Sequence, residues 1–525
     1  MDPENAFESL SQRINHINAL GASGGPAAVA ELKEIEEQVQ ATGFGNLHRC
    51  TLIFMLSSAM INLATDLSLT DEIQLGVDWA TRLFDPTTTP PIFIPQAAYN
   101  RANGLQQIFE IKEAASNGEP PVRLSNPTFR LEKLDELRPV RVLFDMVGRD
   151  PSMPAELHGR SLCNLGNVLD ESGRWVEAYS AYSDALQADP TNGNAAGNLA
   201  ELLRRRLIFG SDQLGHIAAV YDKYVLIAQS LRERTIEIAG VEVADRWDAL
   251  KLTSSPGHLS HDGDELDPYQ KWIVEYRLAL TATVEGLGSD SPRWDSASVT
   301  GFFPADDNEA VPGIFAAMNV LKAEYVVARR LAFRGHDMLD ESQYEQHPQD
   351  PGLYTDTLDS AFYGEPTALL LLAQRSALDV LDKIAVTANE HFGSGLKPSA
   401  VTFVKYWKDP KTREIRPALT KANHGLRSRL ALAELVVDLN PDGLYPNARL
   451  LRNAGTHRLV HATYGLPTGP TEDTFSTVNI DDLVPSTLEA LRVARAAYLY
   501  FVDLVESQLT EPDPTSVIGK LPNQQ

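Results

Sequence analysis

The chain has 525 residues, 43% hydrophobic and 22% charged, with a formal net charge of −25 at pH 7, which is ordinary globular material for two to four domains. Two cysteines, Cys50 and Cys163, exclude a disulfide framework or a cysteine zinc cage and point to the cytoplasm. The acidic surplus excludes phosphate-backbone binding over the whole surface, because phosphate is repelled by such a field.

The N-terminus, MDPENAFESL, lacks the charged-then-apolar pattern of a signal peptide. Residues 1–120 read as a helical region: Ala27–Gln40 is acidic and amphipathic, and His48–Asp66 is apolar nearly all round, so burial is expected for it. Within it the run Thr51–Ala64 is too short to span a bilayer and holds Ser57, Ser58 and Asn62, so no membrane segment is expected. A proline-rich connection, Phe84–Pro95, leads to a helix over Gln96–Ser116.

Between Cys163 and Asn192 the chain reads CNLGNVLDESGRWVEAYSAYSDALQADPTN. This resembles one tetratricopeptide repeat (TPR): Leu165 and Gly166 in a first helix, Gly173 at the turn, Ala178, Tyr182 and Ala185 in a second, then Pro190. Small Gly166 and Ala178 permit close helix approach, with Tyr182 and Leu186 filling the space beyond. Asn194–Arg206 and His216–Arg232 form the next pair, and residues 121–345 are expected to be a TPR-like helical-repeat region, since one repeat cannot bury its own apolar face. His258, His261, Asp262 and Asp264 lie in a polar stretch without a second ligand cluster and read as a loop, not a metal site. A long helix is expected next at Val311–Phe333. Arg330 and His336 have an Arg-x5-His spacing, but His336 comes after Gly335 at the expected helix end, where a solvated or capping histidine is the simpler reading.

From Gly364 onward four helices are expected: Pro366–Phe392, Leu426–Leu439, Pro446–Thr463, and one capped by Ser486 and running to about Leu509. The first two are joined through a basic stretch. From Lys405 to Arg429, Lys405, Lys408, Lys411, Arg413, Arg416, Lys421, Arg427 and Arg429 stand against Asp409 and Glu414, a local charge of +6. Tyr406 and Trp407 within it offer base-stacking surfaces, so Lys405, Trp407, Lys408, Lys411, Arg413 and Arg416 are candidate RNA contacts. Leu466–Pro485 reads as a long loop, and residues 511–525 as a disordered tail.

The third helix carries PNARLLRNAGTHRLVHA, which contains the chain's one Arg-x4-His, Arg452 to His457, with Asn453 next to the arginine. A guanidinium fits phosphate through its planar fork, and an imidazole exchanges protons near neutral pH. Together they suit RNA cleavage by 2'-OH attack, with arginine balancing the charge that grows on phosphorus. The string LRNAGTH resembles the Arg-Asn-x3-His signature of the HEPN superfamily, and YQKWIVEYRLAL and LKAEYVVARRLAF resemble segments of its LA2681-like branch. The resemblance implies a HEPN four-helix bundle over residues 360–510 and a metal-independent endoribonuclease without cofactor. Arg452 and His457 would be its catalytic pair, with Asn453 orienting the histidine or the phosphate. It also implies RNA as substrate, a homodimer whose seam joins two copies of the motif, and a trigger or antitoxin acting through the repeats in toxin–antitoxin or phage defence. Gly455 inside the motif departs from a good helix, at about 1 kcal/mol relative to alanine. His457 and His461 share a helical i, i+4 spacing that suits zinc, but no third ligand is nearby. The competing reading is a non-catalytic TPR/HEPN scaffold that dimerises and binds a protein or RNA. The expected fold is all-α.

Overall fold

The computed structural model describes residues 3–118, 125–209, 214–254, 265–289, 291, 294–299, 303–304, 313–342, 355, 357–359, 361–407, 409, 416, 425–449, 459–466, 469–470, 475–507 and 518–519. The chain is all-α, with short strands, and divides into two units.

The first unit comprises Met1–Ser172, Ala181–Ala195 and Glu233–Ala239. Its central helix, Asn46–Asp66, is long and apolar enough to cross a membrane by length and composition. In this fold, however, Leu52, Leu56, Met60 and Leu63 are buried against neighbouring helices, including Pro3–Leu20 and Gly25–Ala41, as the all-round apolar pattern predicts. A buried arginine organises the unit's other end. Arg130, 2% exposed, bonds both carboxylate oxygens of Glu113 at 2.7 Å and reaches Glu171 at 2.7 Å. Desolvation pushes the Glu171 carboxyl up despite that arginine.

The helices of the repeat-like string run Ala155–Glu171 and Trp175–Ala188, with Gly173 in the left-handed region at φ 79° as the turn requires. Gly166 packs against Tyr182: a Cβ there would lie 2.4 Å from Tyr182 Cε1. The Tyr182 hydroxyl also donates to Asn167 Oδ1 at 2.9 Å.

The second unit comprises Gly173–Ser180, Ala196–Arg232 and Gly240–Gln525. Its longest helices are Gly313–Ser342, Glu365–His391 and Ile480–Glu506; all three pack together, and Leu426–Asp438 packs on the last. The bundle therefore differs from the expected one in two members. Gly313–Ser342, read as preceding it, is part of it, because Gly335 lets the helix close onto Pro366 and Leu370. His336 accordingly lies inside this helix, where its Nδ1 accepts a 2.9 Å hydrogen bond from Trp272 Nε1, and is neither terminal nor a cap.

The other difference lies at the motif. The helix expected over Pro446–Thr463 is replaced at both described ends, by a 3-10 turn at Asn447–Arg449 and by a strand, β3 (Leu459–Thr463). Five strands complete the count among the described residues: β1 (Phe303–Pro304), β2 (Ala361–Phe362), β4 (Gly469–Pro470), β5 (Phe475–Asn479) and β6 (Ile518–Gly519). β1 pairs with β6, and the others form a sheet in the order β2-β3-β5-β4, with β3 and β5 parallel and in register from Leu459↔Phe475 to Thr463↔Asn479. Val460, Thr463, Thr477 and Val478 are β-branched, which suits a pleated, half-buried surface better than a helix. β4 and β5 occupy part of the expected long loop. The last helix starts at Ile480, earlier than Ser486, because Asn479 Oδ1 accepts from the Asp481 amide at 3.2 Å and Asp481 and Asp482 suit the positive helix end. Pro485, expected as the end of the loop, is carried inside the helix.

Two of this unit's buried arginines hold carboxylates in its interior. Arg329 bonds both oxygens of Asp295 at 2.7 Å and the Leu278 carbonyl at 3.0 Å. Burial alone would raise the Asp295 carboxyl, but the Arg329 hydrogen bonds and charge, with the Leu280 amide, outweigh it and hold the group below its usual value. A carboxylate with a depressed folded pKa contributes stability above the unfolded value, about pH 4, and loses it as pH falls through the folded one. Asp295→Asn is therefore expected to lower the denaturation midpoint at neutral pH, with the gap from wild type closing below about pH 4. Denaturant titrations at pH 7, 5, 4 and 3 check this; a gap independent of pH would contradict it. The second of the pair, Arg174, sits in a cluster of carboxylates on the Leu426–Asp438 side of the unit.

Candidate active site

In sequence, the Arg-x4-His motif is followed directly by strand β3 of the C-terminal sheet. Arg452, Asn453 and His457 themselves lie outside the described residues, as do Lys408, Lys411, Arg413 and the His258–Asp264 cluster. Strand β3 begins two residues after His457, and a strand sends successive side chains to opposite faces. Ala462 and Val460 face the apolar cluster built with Leu370, Val478, Ile480 and Leu483. His461 is thereby sent to the other face. There its Nε2 lies 3.0 Å from the Tyr363 hydroxyl and 3.2 Å from Asp359 Oδ2, with the Tyr363 and His461 rings stacked at 5.9 Å. The zinc spacing of His457 and His461 required a common helix, and His461 stands on a strand instead.

Local backbone holds the two partners in place. Tyr363 comes directly after β2, which pairs antiparallel with β3 through Ala361↔Thr463 and Phe362↔Ala462. Asp359 is preceded by Leu358, a leucine with φ 58° that is 90% exposed. A bulky residue in the left-handed region costs on the order of 1 kcal/mol or more, and its side chain gains nothing by burial here. The turn is stitched by Thr357, whose hydroxyl donates to Asp359 Oδ1 at 2.5 Å and lies 3.2 Å from the Tyr363 hydroxyl. That hydroxyl is the main reason the Asp359 carboxyl sits below its usual pKa, and the nearby His461 adds to the effect.

These contacts admit a proton order in which every donor is used once. The carboxylate beside Nε2 favours a proton on that nitrogen; Nε2–H then donates to the Tyr363 oxygen, Tyr363 to Thr357, and Thr357 to Asp359. Nδ1 is left with no hydrogen bond among the described residues. With side chains 19% and 32% exposed, His461 and Asp359 are held by the fold yet open to solvent. An imidazole oriented by a carboxylate can take and return a proton.

The basic stretch is less open than its sequence implies. Trp407 and Tyr406 are 1% and 0% exposed, packed edge to face with ring centroids 4.9 Å apart, so neither offers a stacking surface. They belong to the core of Phe403–Tyr406 and its surroundings, since Phe403 is buried with them. Arg416 donates to the Tyr406 carbonyl at 2.8 Å, the Lys405 carbonyl at 3.0 Å and Asp409 at 3.2 Å. Its donors thus brace the chain, and Arg429 is buried, where desolvation lowers its pKa. Lys405 is exposed and stays a candidate phosphate contact.

The match to known families falls on this half of the chain. Residues 305–508 match the model of the LA2681-like HEPN family. A HEPN domain therefore forms the C-terminal part of this all-α chain. The matched range takes in the Gly313–Ser342 helix, the Arg452–His457 motif, and all of Thr357, Asp359, Tyr363 and His461. HEPN proteins are commonly RNases, which supports an enzymatic reading in its coarse form. None of the curated proteins matches the chain.

Sequence reasoning weighed His461 only as a metal ligand and passed over Asp359 and Tyr363 in the HEPN domain. Tyr363 and His461 are 98 positions apart, and only the pairing of β2 with β3 joins them. The one local signal was Leu-Val-His-Ala-Thr itself, whose β-branched residues and alternation fit a strand.

Proposed function

We propose that the protein is a metal-independent endoribonuclease of HEPN type, cleaving RNA by 2'-OH attack to leave a 2',3'-cyclic phosphate and a 5'-OH. The observation that carries this reading is that the chain's one Arg-x4-His falls inside the range matched by the LA2681-like HEPN family. In this reading Arg452 balances the charge growing on the phosphoryl oxygens, His457 transfers a proton, and Asn453 orients one or the other. A homodimer brings two copies of the motif to a common seam. The TPR-like helices preceding the domain control the nuclease in response to a trigger or antitoxin, in toxin–antitoxin or phage defence.

The test is incubation of purified full-length protein with total RNA in EDTA, followed by end-group analysis. Cutting that survives EDTA, leaves cyclic phosphates, and disappears in His457→Ala is the expected result. Cutting that persists in His457→Ala would assign the activity elsewhere.

A further inference from the structure

A cleft of about 580 Å³ lies upstream of the family match, and the nuclease reading makes no use of it. Its walls come from the Gly193–Phe209, Leu214–Ser230 and Val241–Asp248 helices and the segment after the last of them; every lining residue belongs to the second unit. Three cations, Arg204, Arg246 and Lys251, face it against one carboxylate, Glu201. That is a local charge of +2 in a chain whose net charge is −25. We infer that the cleft binds a nucleoside monophosphate, with the phosphate on the cations and the nucleoside against the apolar wall.

Each cation is placed by the local fold. Gly197 has no Cβ, so the Trp247 ring closes onto the Gly193–Phe209 helix, where any Cβ would collide with it. This seats Arg246, whose guanidinium lies over that ring at 4.9 Å. Lys251 is fixed through its neighbouring backbone: the Tyr221 hydroxyl donates to the Lys251 carbonyl at 2.9 Å, and Gln229 Nε2 to the Leu250 carbonyl at 3.1 Å. Arg204 gives Nε and Nη2 to Glu201 at 2.8 and 2.7 Å, which turns the Nη1 edge of its fork away from that carboxylate. The other acids nearby are engaged. Asp245 and Asp248 are held by Arg232, and Asp222 accepts from the Thr253 amide and hydroxyl at 2.6 and 2.9 Å. Arg246 and Lys251 are exposed, and their side chains make no hydrogen bond or ion pair among the described residues.

Charge, size and wall chemistry together select the ligand. A phosphate monoester carries about −1.5 to −2 at neutral pH, which matches the local surplus, and guanidinium forks pair with its oxygens in parallel N–H bonds. A polyanion is disfavoured, because its charges would extend beyond the cleft into the field of an acidic chain. A small anion stays within about 8 Å, one Debye length, of the cations that hold it. The volume lies in the range of small-molecule sites, about 300–1,000 Å³. Leu207, Ile208 and Leu250 supply the apolar wall, and Ile208 is 56% exposed, so a flat base laid against it removes apolar surface from water. A sugar phosphate would bring the same phosphate but set hydroxyls against that wall, at the cost of their hydrogen bonds to water.

The experiment is calorimetric titration of the full-length protein with each of the common nucleoside 5'-monophosphates, and with adenosine, ribose 5-phosphate and inorganic phosphate for comparison. At least one monophosphate is expected to bind with one equivalent per chain, more weakly as salt is raised. The comparison compounds are each expected to bind about tenfold or more weakly than it does, as for loss of a charge-assisted hydrogen bond or of the apolar contact. Arg246→Gln with Lys251→Gln is expected to weaken the monophosphate by about tenfold or more while leaving the melting midpoint unchanged, since both side chains are exposed. Lys251→Gln alone reads the same contact if the double variant is less stable. No binding of any monophosphate at millimolar concentration would overturn the inference, as would equal affinity in wild type and the double variant. Inorganic phosphate or ribose 5-phosphate binding as tightly as the best monophosphate would leave a phosphate or sugar-phosphate site and overturn the nucleoside assignment. None of these outcomes depends on RNA cleavage, so the nuclease reading stands or falls separately.

Discussion

Arg174→Ala is expected to destabilise the C-terminal unit by about 3–5 kcal/mol, the usual consequence of removing one partner from a buried ion cluster. Arg174 is fully buried at the start of the Trp175–Ala188 helix, and it donates to both oxygens of Glu177 and to Asp438, with Glu434 at 3.7 Å. Burial by itself would lower the guanidinium pKa; Glu177 and Asp438 outweigh it and hold the group protonated. Glu177 also accepts from the hydroxyls of Tyr445 and Tyr500, the latter at 3.0 Å. Alanine would leave three carboxylates facing one another without their cation, in a place water cannot reach. Denaturant unfolding watched by tryptophan fluorescence suits the measurement, since Trp175 adjoins the cluster and donates to Asp503 at 2.7 Å. Arg174→Ala with Glu177→Gln should recover part of the loss, because the two residues share one network. A midpoint unchanged from wild type would mean that the cluster is solvated.

For Arg452 the larger effect is expected on rate. Arg452→Ala should lower cleavage by about 100- to 1,000-fold, the range for removing a donor that meets charge in the transition state. Arg452→Lys should recover only part of this. An ammonium restores the charge, but not the two parallel N–H bonds that a guanidinium makes to a phosphoryl group. Single-turnover rates at saturating RNA separate this from weakened binding. Full activity in Arg452→Lys would show that charge alone is needed, and full activity in Arg452→Ala would remove the residue from the reaction.

The helices were legible where one periodicity ran unbroken. Asn46–Asp66, Glu365–His391 and Leu426–Asp438 begin and end within two residues of the expected bounds, because their apolar residues recur on helical spacing between clear breakers. Around the motif the same logic failed. Pro446 and Gly465 look like a helix start and stop, but the preference of Leu459–Thr463 is decided by β5, a partner the local sequence does not reveal. Pro485 misled in the opposite direction, since Asn479 caps the helix about two turns before Ser486. In the basic stretch, charge and aromatic content were visible while burial was not. Arg429 and Trp407 are both buried, although nothing in the local charge pattern marks them as such. His461 was legible as a titratable residue, but its carboxylate and phenol come from the other side of a separation of about a hundred residues.

The arginine cluster has a consequence for dissecting the protein. The family match begins at residue 305, yet Asp438 and Glu434, both within it, take their counter-charge from Arg174, and Asp503 takes its from Arg206. A fragment excised at the family boundary would keep the acids and lose both cations. Its Leu426–Asp438 and Ile480–Glu506 helices would then repel along the faces that Arg174 and Arg206 now neutralise. The charge balance of these helices therefore depends on residues as far upstream as Arg174, more than a hundred residues before the family match begins.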